Sequence, residues 1–366
     1  AINKRHIIVF FENIISLIME RRYEVQTNWM GDYFALIGDR VLHSDNGDTR
    51  CKLALLLISN GNHKDGSRML CQYLETIVHS AMEEFLPDDA ADDEIFSASM
   101  FPAFAPLYSE LGKSLLSTST YKWQSSLLDT SHKFDTESVR EALECAFQNL
   151  EKARVIIAGI VLDGVSFMEE FGLNHHHHTH EQQNTMKQEL ATILNQLGVI
   201  QTLRGLFMPA FEDFYQALKI SIEVCGGEFH EFVAQSHNYL ARAYECYAEH
   251  SMSSREVMRD RRVARLGGVG GEMGEDLPLN SYMKCAEHYL ACGVSLAGHL
   301  VNICKSNPDE IFTAKNLDTI CENISMLKTL PCDKDKELFE RIRLALYDAK
   351  ANLGSIERRI ESMKSK

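Results

Sequence analysis

The residues best suited to metal chemistry form a run of histidines, His175–His178 and His180. Neutral imidazoles bind zinc, nickel and copper. Consecutive residues cannot all turn towards one ion from a regular helix or strand, however, and no Cys or Asp cluster stands beside them to complete a coordination shell. We therefore interpret the run as a low-complexity linker and predict neither a bound metal nor another cofactor.

Ten cysteines are scattered along the chain, and none forms the CxxC pair of a zinc site or a thioredoxin-like motif. Many of them stand among apolar residues at helical spacing, as small buried side chains do. With no secretory signal recognised, this pattern predicts a reduced compartment, the cytosol or the nucleus.

Motifs for catalysis are absent from the sequence. The glycine-rich stretch 266–274 lacks the Lys and the Ser or Thr of a phosphate-binding loop. Neither a nucleophile elbow nor the HExxH zinc-protease pattern occurs. Single histidines such as His230, His237 and His288 are interpreted as packing or hydrogen-bonding residues on helical faces. The sequence thus predicts a protein that is not an enzyme.

The charge of the chain favours a basic partner. Its net charge is −15, from 52 acidic and 37 basic residues, which disfavours direct contact with nucleic acid phosphates and attracts basic proteins. A run of seven acids without a base either forms a solvated loop or contacts such a partner in a salt-sensitive way. The run consists of Glu83, Glu84, Asp88, Asp89, Asp92, Asp93 and Glu94.

Internal repeats give the strongest indication of the fold. One segment has the spacing of a tetratricopeptide repeat, in which two helices cross closely at a glycine and a second glycine forms the turn between them. It consists of Leu194, Leu197, Gly198, Gly205, Ala210, Phe214 and Ala217. Weaker copies are Leu53–Tyr73, Tyr108–Leu115 with Ala146–Ala153, and His237–Tyr244 with Cys285–Cys292. We predict an all-α tetratricopeptide-repeat superhelix of about four helix pairs, two of them interrupted.

The flanking segments complete the predicted organisation. Apolar residues recur at helical intervals from Leu338 to Ile360, as expected of a helix that covers the last repeat. The apolar run Ile7–Met19 is shorter than the roughly 20 residues of a membrane span, so no membrane contact is predicted. The predicted parts are an N-terminal helical segment at 1–47, repeats at 48–305 and C-terminal capping helices at 306–366. Loops are expected at about 117–141, 163–186 and 251–280.

The order of these parts resembles the nuclear autoantigenic sperm protein family, the histone chaperones with interrupted tetratricopeptide repeats. The resemblance lies in Gly61–Tyr73, GKSLL at Gly112–Leu116, Leu194–Ala217 followed by AQSHNYLARAY at Ala234–Tyr244, and KELFERIRLALYDAKANL at Lys336–Leu353. It implies a nuclear, non-enzymatic protein that acts in chromatin assembly. Its partners would be core histones three and four, chiefly three, and in some members linker histone. Self-association is also common in that family.

In such repeats the first helices line the concave, partner-binding face. The positions that the resemblance places there are Ser109, Lys113, Thr192, Asn195, Val199, Thr202, Gln235, Asn238, Arg242 and Glu245. Their polar character suits a helix or an extended peptide in a groove. The alternative is a tetratricopeptide co-chaperone or scaffold that captures acidic C-terminal tails. That function requires clustered Lys or Arg, whereas Lys113 and Arg242 are isolated in the sequence.

Overall fold

A computed structural model describes residues 45–85, 104–128, 136–170, 180–263, 277–304, 317–325 and 333–365. In these residues the chain forms ten helices and no strand, which confirms the predicted all-α class. The helices are α1 Asp45–Ser59, α2 His63–Phe85, α3 Ala105–Leu128, α4 Thr136–Glu170, α5 His180–Leu203, α6 Phe207–Cys225, α7 Glu231–Val263, α8 Leu277–Cys304, α9 Leu317–Ser325 and α10 Asp333–Lys364. None of the described helices is long and apolar enough to span a membrane.

The turn between α5 and α6 forms where the repeat spacing predicts it. Helix α5 ends at Leu203, and Gly205 follows with φ of +75°, a left-handed conformation that favours glycine. Pro209 lies in the first turn of α6, where its missing N–H breaks no helical hydrogen bond. Ala210 and Phe214 then point inward and are buried.

Glycines bring paired helices into close contact. A Cβ at Gly198 would lie 2.7 Å from the Phe214 ring, and one at Gly112 would lie 2.5 Å from Leu150 Cγ. Such distances are too short for any side chain, so α3 packs on α4 at a separation that only glycine permits. The predicted pairing of Tyr108–Leu115 with Ala146–Ala153 is thereby confirmed.

Contacts divide the chain into two compact units, Ala1–Gln196 and Leu197–Lys366, with the division inside α5. In the first unit α1 packs on α2, α2 on α3, and α3 on α4. In the second, α7 packs on both α6 and α8, while α9 and α10 pack on α8. The predicted repeat region 48–305 therefore extends over both units.

The C-terminal helices bury the apolar stripe that the sequence indicated. Phe339, Ile342 and Leu346 of α10 join Leu300 of α8 and Ile320 of α9 in one core cluster. A second cluster places Ile356 of α10 with residues of α7 and α8. Helix α10 thus covers a side of α8 that would otherwise be exposed.

The predicted loops are shorter than expected. Helix α3 continues to Leu128 and α4 begins at Thr136, so most of 117–141 is helical. Likewise α4 and α5 extend into 163–186, and α7 and α8 extend into 251–280. The extension of α3 is rich in Ser and Thr, which are weak helix formers, and it shows little apolar periodicity, so the sequence did not indicate a helix there.

Candidate partner-binding surface

Four of the predicted binding residues share one face of α7. Gln235, Asn238, Arg242 and Glu245 are spaced three, four and three residues apart, which places them along one side of a helix. Gln235 and Arg242 are exposed, and Asn238 and Glu245 are half-buried. The opposite side of α7, including Leu240, is buried. The rigid packing of that side fixes the direction in which the polar face points.

Tyr289 of α8 is buried close to the two charged side chains of this face and is only 2% exposed. Burial raises the pKa of its phenol, the charge of Glu245 adds to the rise, and the charge of Arg242 opposes it. Tyr289 thus lies within electrostatic range of both Glu245 and Arg242.

Arg359 of α10 extends the charged face beyond Glu245. Its Nη1 lies 2.7 Å from Glu249 Oε1 and 3.4 Å from Glu245 Oε1, and it donates to the Tyr282 hydroxyl at 3.3 Å. Partial burial raises the pKa of the Glu245 carboxyl, and the charge of Arg359 opposes that rise. The result is a face of alternating carboxylates and guanidiniums contributed by α7 and α10.

The predicted positions on α5 are less accessible than expected. Asn195 is buried, with 3% exposure, which corrects its assignment to an exposed face. Thr192 and Thr202 are half-buried and donate to the backbone carbonyls of Gln188 and Gly198. Val199 packs against the aromatic cluster around Phe214, because apolar contact there removes its side chain from water.

Ser109 and Lys113 on α3 also differ from the expectation. Ser109 is fully buried and donates to Glu189 of α5. Lys113 Nζ lies 2.6 Å from Glu189 and 3.0 Å from Glu110. Burial disfavours its charge, but the two carboxylates outweigh that effect and raise the pKa of Lys113. These residues form an internal polar network, which corrects their prediction as exposed binding positions.

The remaining sequence features lie partly outside the described residues. Glu83 and Glu84 belong to the last turn of α2, and His180 begins α5. The other five acidic residues and the other four histidines are not among those that the structure describes: Asp88, Asp89, Asp92, Asp93 and Glu94, and His175–His178. Within the described ranges, no group of three or more His, Cys, Asp or Glu side chains could hold a metal ion.

The sequence did not reveal Tyr289, Glu249 or Arg359 as parts of the surface. Tyr289 lies within the apolar spacing of Cys285–Cys292, and neither Glu249 nor Arg359 belongs to any of the sequence motifs. Arg359 is separated from Glu249 by 110 residues, so no local spacing could connect them. The one available signal is that Arg359 lies beside Ile356 and Ile360, at the border of the buried stripe of α10.

Comparisons with known proteins do not assign the surface to a family. No family model matches the chain, and no characterised protein matches it significantly. The tetratricopeptide and histone-chaperone resemblance therefore stays a prediction from the sequence.

Proposed function

We propose that this chain is a non-enzymatic histone chaperone of the nucleus, built on interrupted tetratricopeptide repeats. It binds core histones three and four, chiefly three, through the polar face of α7 and through its acidic segments. The observation that carries the proposal is the alignment of Gln235, Asn238, Arg242 and Glu245 on one accessible helical face. The sequence predicts the same four residues as binding positions.

The dimensions and chemistry of this face suit a histone helix. From Gln235 to Glu245 it extends about 15 Å at 1.5 Å per residue, which corresponds to three turns of a partner helix. Amides supply both donors and acceptors, and the Glu249 carboxylate, which is 51% exposed, can accept from a basic side chain besides that of Arg359. Because Arg359 already pairs with Glu245 and Glu249, binding costs these two side chains little additional entropy.

The charge of the whole chain supports the same partner. Core histones are strongly basic, and a net charge of −15 accelerates their encounter with the chaperone. The acidic run from Glu83 to Glu94 concentrates part of this charge in a short segment. In this proposal the acidic run attracts the partner over a distance, and the face of α7 contacts it directly.

The alternative, capture of acidic C-terminal tails, finds less support. A carboxylate clamp requires unpaired cations on an accessible face. Lys113 is only 19% exposed and is held by two carboxylates, and Arg242 lies close enough to the Glu245 carboxylate for its charge to act on it. Neither residue is placed to receive an acidic tail.

The two functions can be separated by equilibrium binding of the purified chain. We expect binding to a histone three–histone four complex and none to an acidic C-terminal peptide of equal concentration. The variant Gln235→Ala/Asn238→Ala/Arg242→Ala should weaken histone binding by about tenfold or more, as expected for truncation of contact residues. A matched control, Glu212→Ala/Gln216→Ala/Lys219→Ala, removes exposed polar groups of α6 and should bind normally. Preference for the acidic peptide would contradict the chaperone function.

A further inference from the structure

Two pairs of histidines lie across the contact between α7 and α8. His237 Nδ1 and His288 Nδ1 are 3.1 Å apart. Just before α7, the ring of His230 lies with its centroid 4.7 Å from that of His299. The same helix contact is therefore made twice by side chains whose ordinary pKa, about 6.5, lies near neutral pH.

The first pair keeps its hydrogen bond with at most one added proton. His288 Nε2 lies 3.3 Å from the Tyr215 hydroxyl, which is 3.1 Å from the Tyr244 hydroxyl. With neutral rings, a continuous series of hydrogen bonds can run from His237 through His288 to Tyr215 and Tyr244, with each group donating one hydrogen bond. One added proton can be shared between the imidazoles, but a second leaves two N–H donors facing each other. The doubly protonated pair thus loses its hydrogen bond and gains a repulsion.

The second pair includes the N-terminal cap of α7. His230 Nδ1 accepts the backbone N–H of Phe232 at 3.1 Å, and the His230 carbonyl accepts that of Ala234. Protonation of Nδ1 removes the acceptor of the cap. It also places a positive charge at the positive end of the helix dipole. Both effects weaken the start of α7.

The surroundings of the histidines do not compensate added charge. His288 is faced by His237 and Tyr244 of α7 and by Tyr215 of α6, with Glu287 and Lys284 on its own helix. Burial lowers the pKa of His237 to about 4. Burial, followed by the charge of His237, lowers that of His288 to about 4 as well.

The second pair has a similar environment. Burial lowers the pKa of His230, against the opposing charge of Glu231. The pKa of His299 is also lowered, by burial, His230 and Arg341 of α10, while Glu231 and the Phe229 carbonyl oppose the shift. Arg341 is itself paired with Glu231 at 2.7 Å. The Glu231 carboxylate is therefore shared between this arginine and the two histidines.

We propose that the contact between the first half of α7 and α8 is an acid-sensitive switch, closed at neutral pH and opened by protonation of its two histidine pairs. This inference is independent of the histone-binding function. Since the folded contact lowers histidine pKa values from about 6.5 to about 4, the opened state binds more protons between these limits. The closed contact between α7 and α8 is most stable above pH 6.5, and its stability falls as the pH decreases towards 4.

Amide hydrogen exchange measured at pH 7.5 and pH 5.0 tests the switch in the full chain. A single histidine with these two pKa values should increase the opening equilibrium about 30-fold at pH 5.0. We therefore expect protection factors at residues 234–241 of α7 to fall by at least about tenfold, and those of α2 in the other unit to change much less. Unchanged protection of α7 relative to α2 would overturn the proposal.

The variant His230→Asn/His237→Asn identifies the groups responsible. Asn caps helices well and places an amide near the position of Nδ1 without titrating. Because His288 and His299 remain, the variant should lose clearly less α7 protection at pH 5.0 than the wild type, but not keep all of it. His250→Asn removes an exposed histidine of the same helix and should behave as the wild type. If the double variant loses helicity, His288→Gln and His299→Gln provide the same test from α8. Wild-type pH dependence in folded variants of either set would overturn the proposal.

Discussion

Lys113 shows how a single residue can look like a binding group in the sequence and serve as a structural one. Its amine is shared by Glu110 and Glu189, and Ser109 donates to the same Glu189 carboxylate. Glu189 is only 11% exposed, so water has little access to its carboxylate. Removal of the lysine leaves two carboxylates close together with poor access to water, which is a costly arrangement.

We expect Lys113→Met to destabilise the chain by about 2–4 kcal/mol, somewhat less than a fully buried pair because Lys113 keeps partial contact with water. Urea unfolding at pH 7 followed by circular dichroism measures this change. Arg68→Met is the matched control, since its partner Asp65 forms an exposed pair, with side chains 67% and 44% exposed. Its effect should stay below about 1 kcal/mol. Equal effects of the two substitutions would contradict the internal network.

Lys113 and Glu189 should also be coupled in their effects on the stability of the chain. If the cost arises from unpaired carboxylates, Glu189→Gln should restore part of the stability that Lys113→Met removes, because the neutral amide no longer needs a cation. A double-mutant cycle over these two positions should give a coupling energy of about 1–3 kcal/mol. Additive effects would show that Lys113 acts through packing of its alkyl chain alone.

At the scale of elements, the close pairing of helices depends on a small number of glycines. A Cβ at Gly112 would meet Leu150 Cγ at 2.5 Å and the Ala146 carbonyl oxygen at 3.1 Å. The backbone oxygen cannot move without displacing α4, so the contact cannot relax through a side-chain rotation alone. At Gly354 in α10, by contrast, a Cβ would meet nothing within 4 Å.

The two glycines therefore give opposite predictions for the same substitution. Gly112→Ala should destabilise the chain by about 1–3 kcal/mol through overpacking. Gly354→Ala should stabilise it by up to about 1 kcal/mol, because alanine is the better helix former. Thermal unfolding of both variants, monitored at 222 nm, measures the difference. A stabilising Gly112→Ala would contradict the close contact of α3 with α4.

The sequence predicted helix pairs better than it predicted helix ends or contacts between distant helices. Glycines and apolar residues at fixed spacing located the turn at Gly205 and the pairing at Gly112, because these are local geometric requirements. The extension of α3 to Leu128 depends on residues with no apolar periodicity. Repeat spacing paired the segments His237–Tyr244 and Cys285–Cys292, whose helices do pack together. It did not show that His237 and His288, 51 residues apart, face each other.

At the scale of the whole molecule, charge is distributed unevenly along the chain. The residues from Glu83 to Glu94 include seven acids and no base, whereas the face of α7 and α10 alternates both signs. Exposed charges act over about 10 Å at moderate ionic strength. The acidic run should thus govern the rate at which a basic partner arrives, and the paired charges of α7 should govern how long it stays.

We expect Asp88→Asn/Asp89→Asn/Asp92→Asn/Asp93→Asn to slow histone association several-fold at low salt, with a smaller change in dissociation. Stopped-flow or surface-based kinetics at several salt concentrations separates the two rates, and the difference from the wild type should shrink as salt increases. A control with the same change in net charge neutralises four exposed acids at separate sites: Glu75, Glu144, Glu212 and Glu361. Because scattered charges do not concentrate the field at one segment, the control should slow association less. Equal slowing by both variants would show that total charge alone directs the encounter.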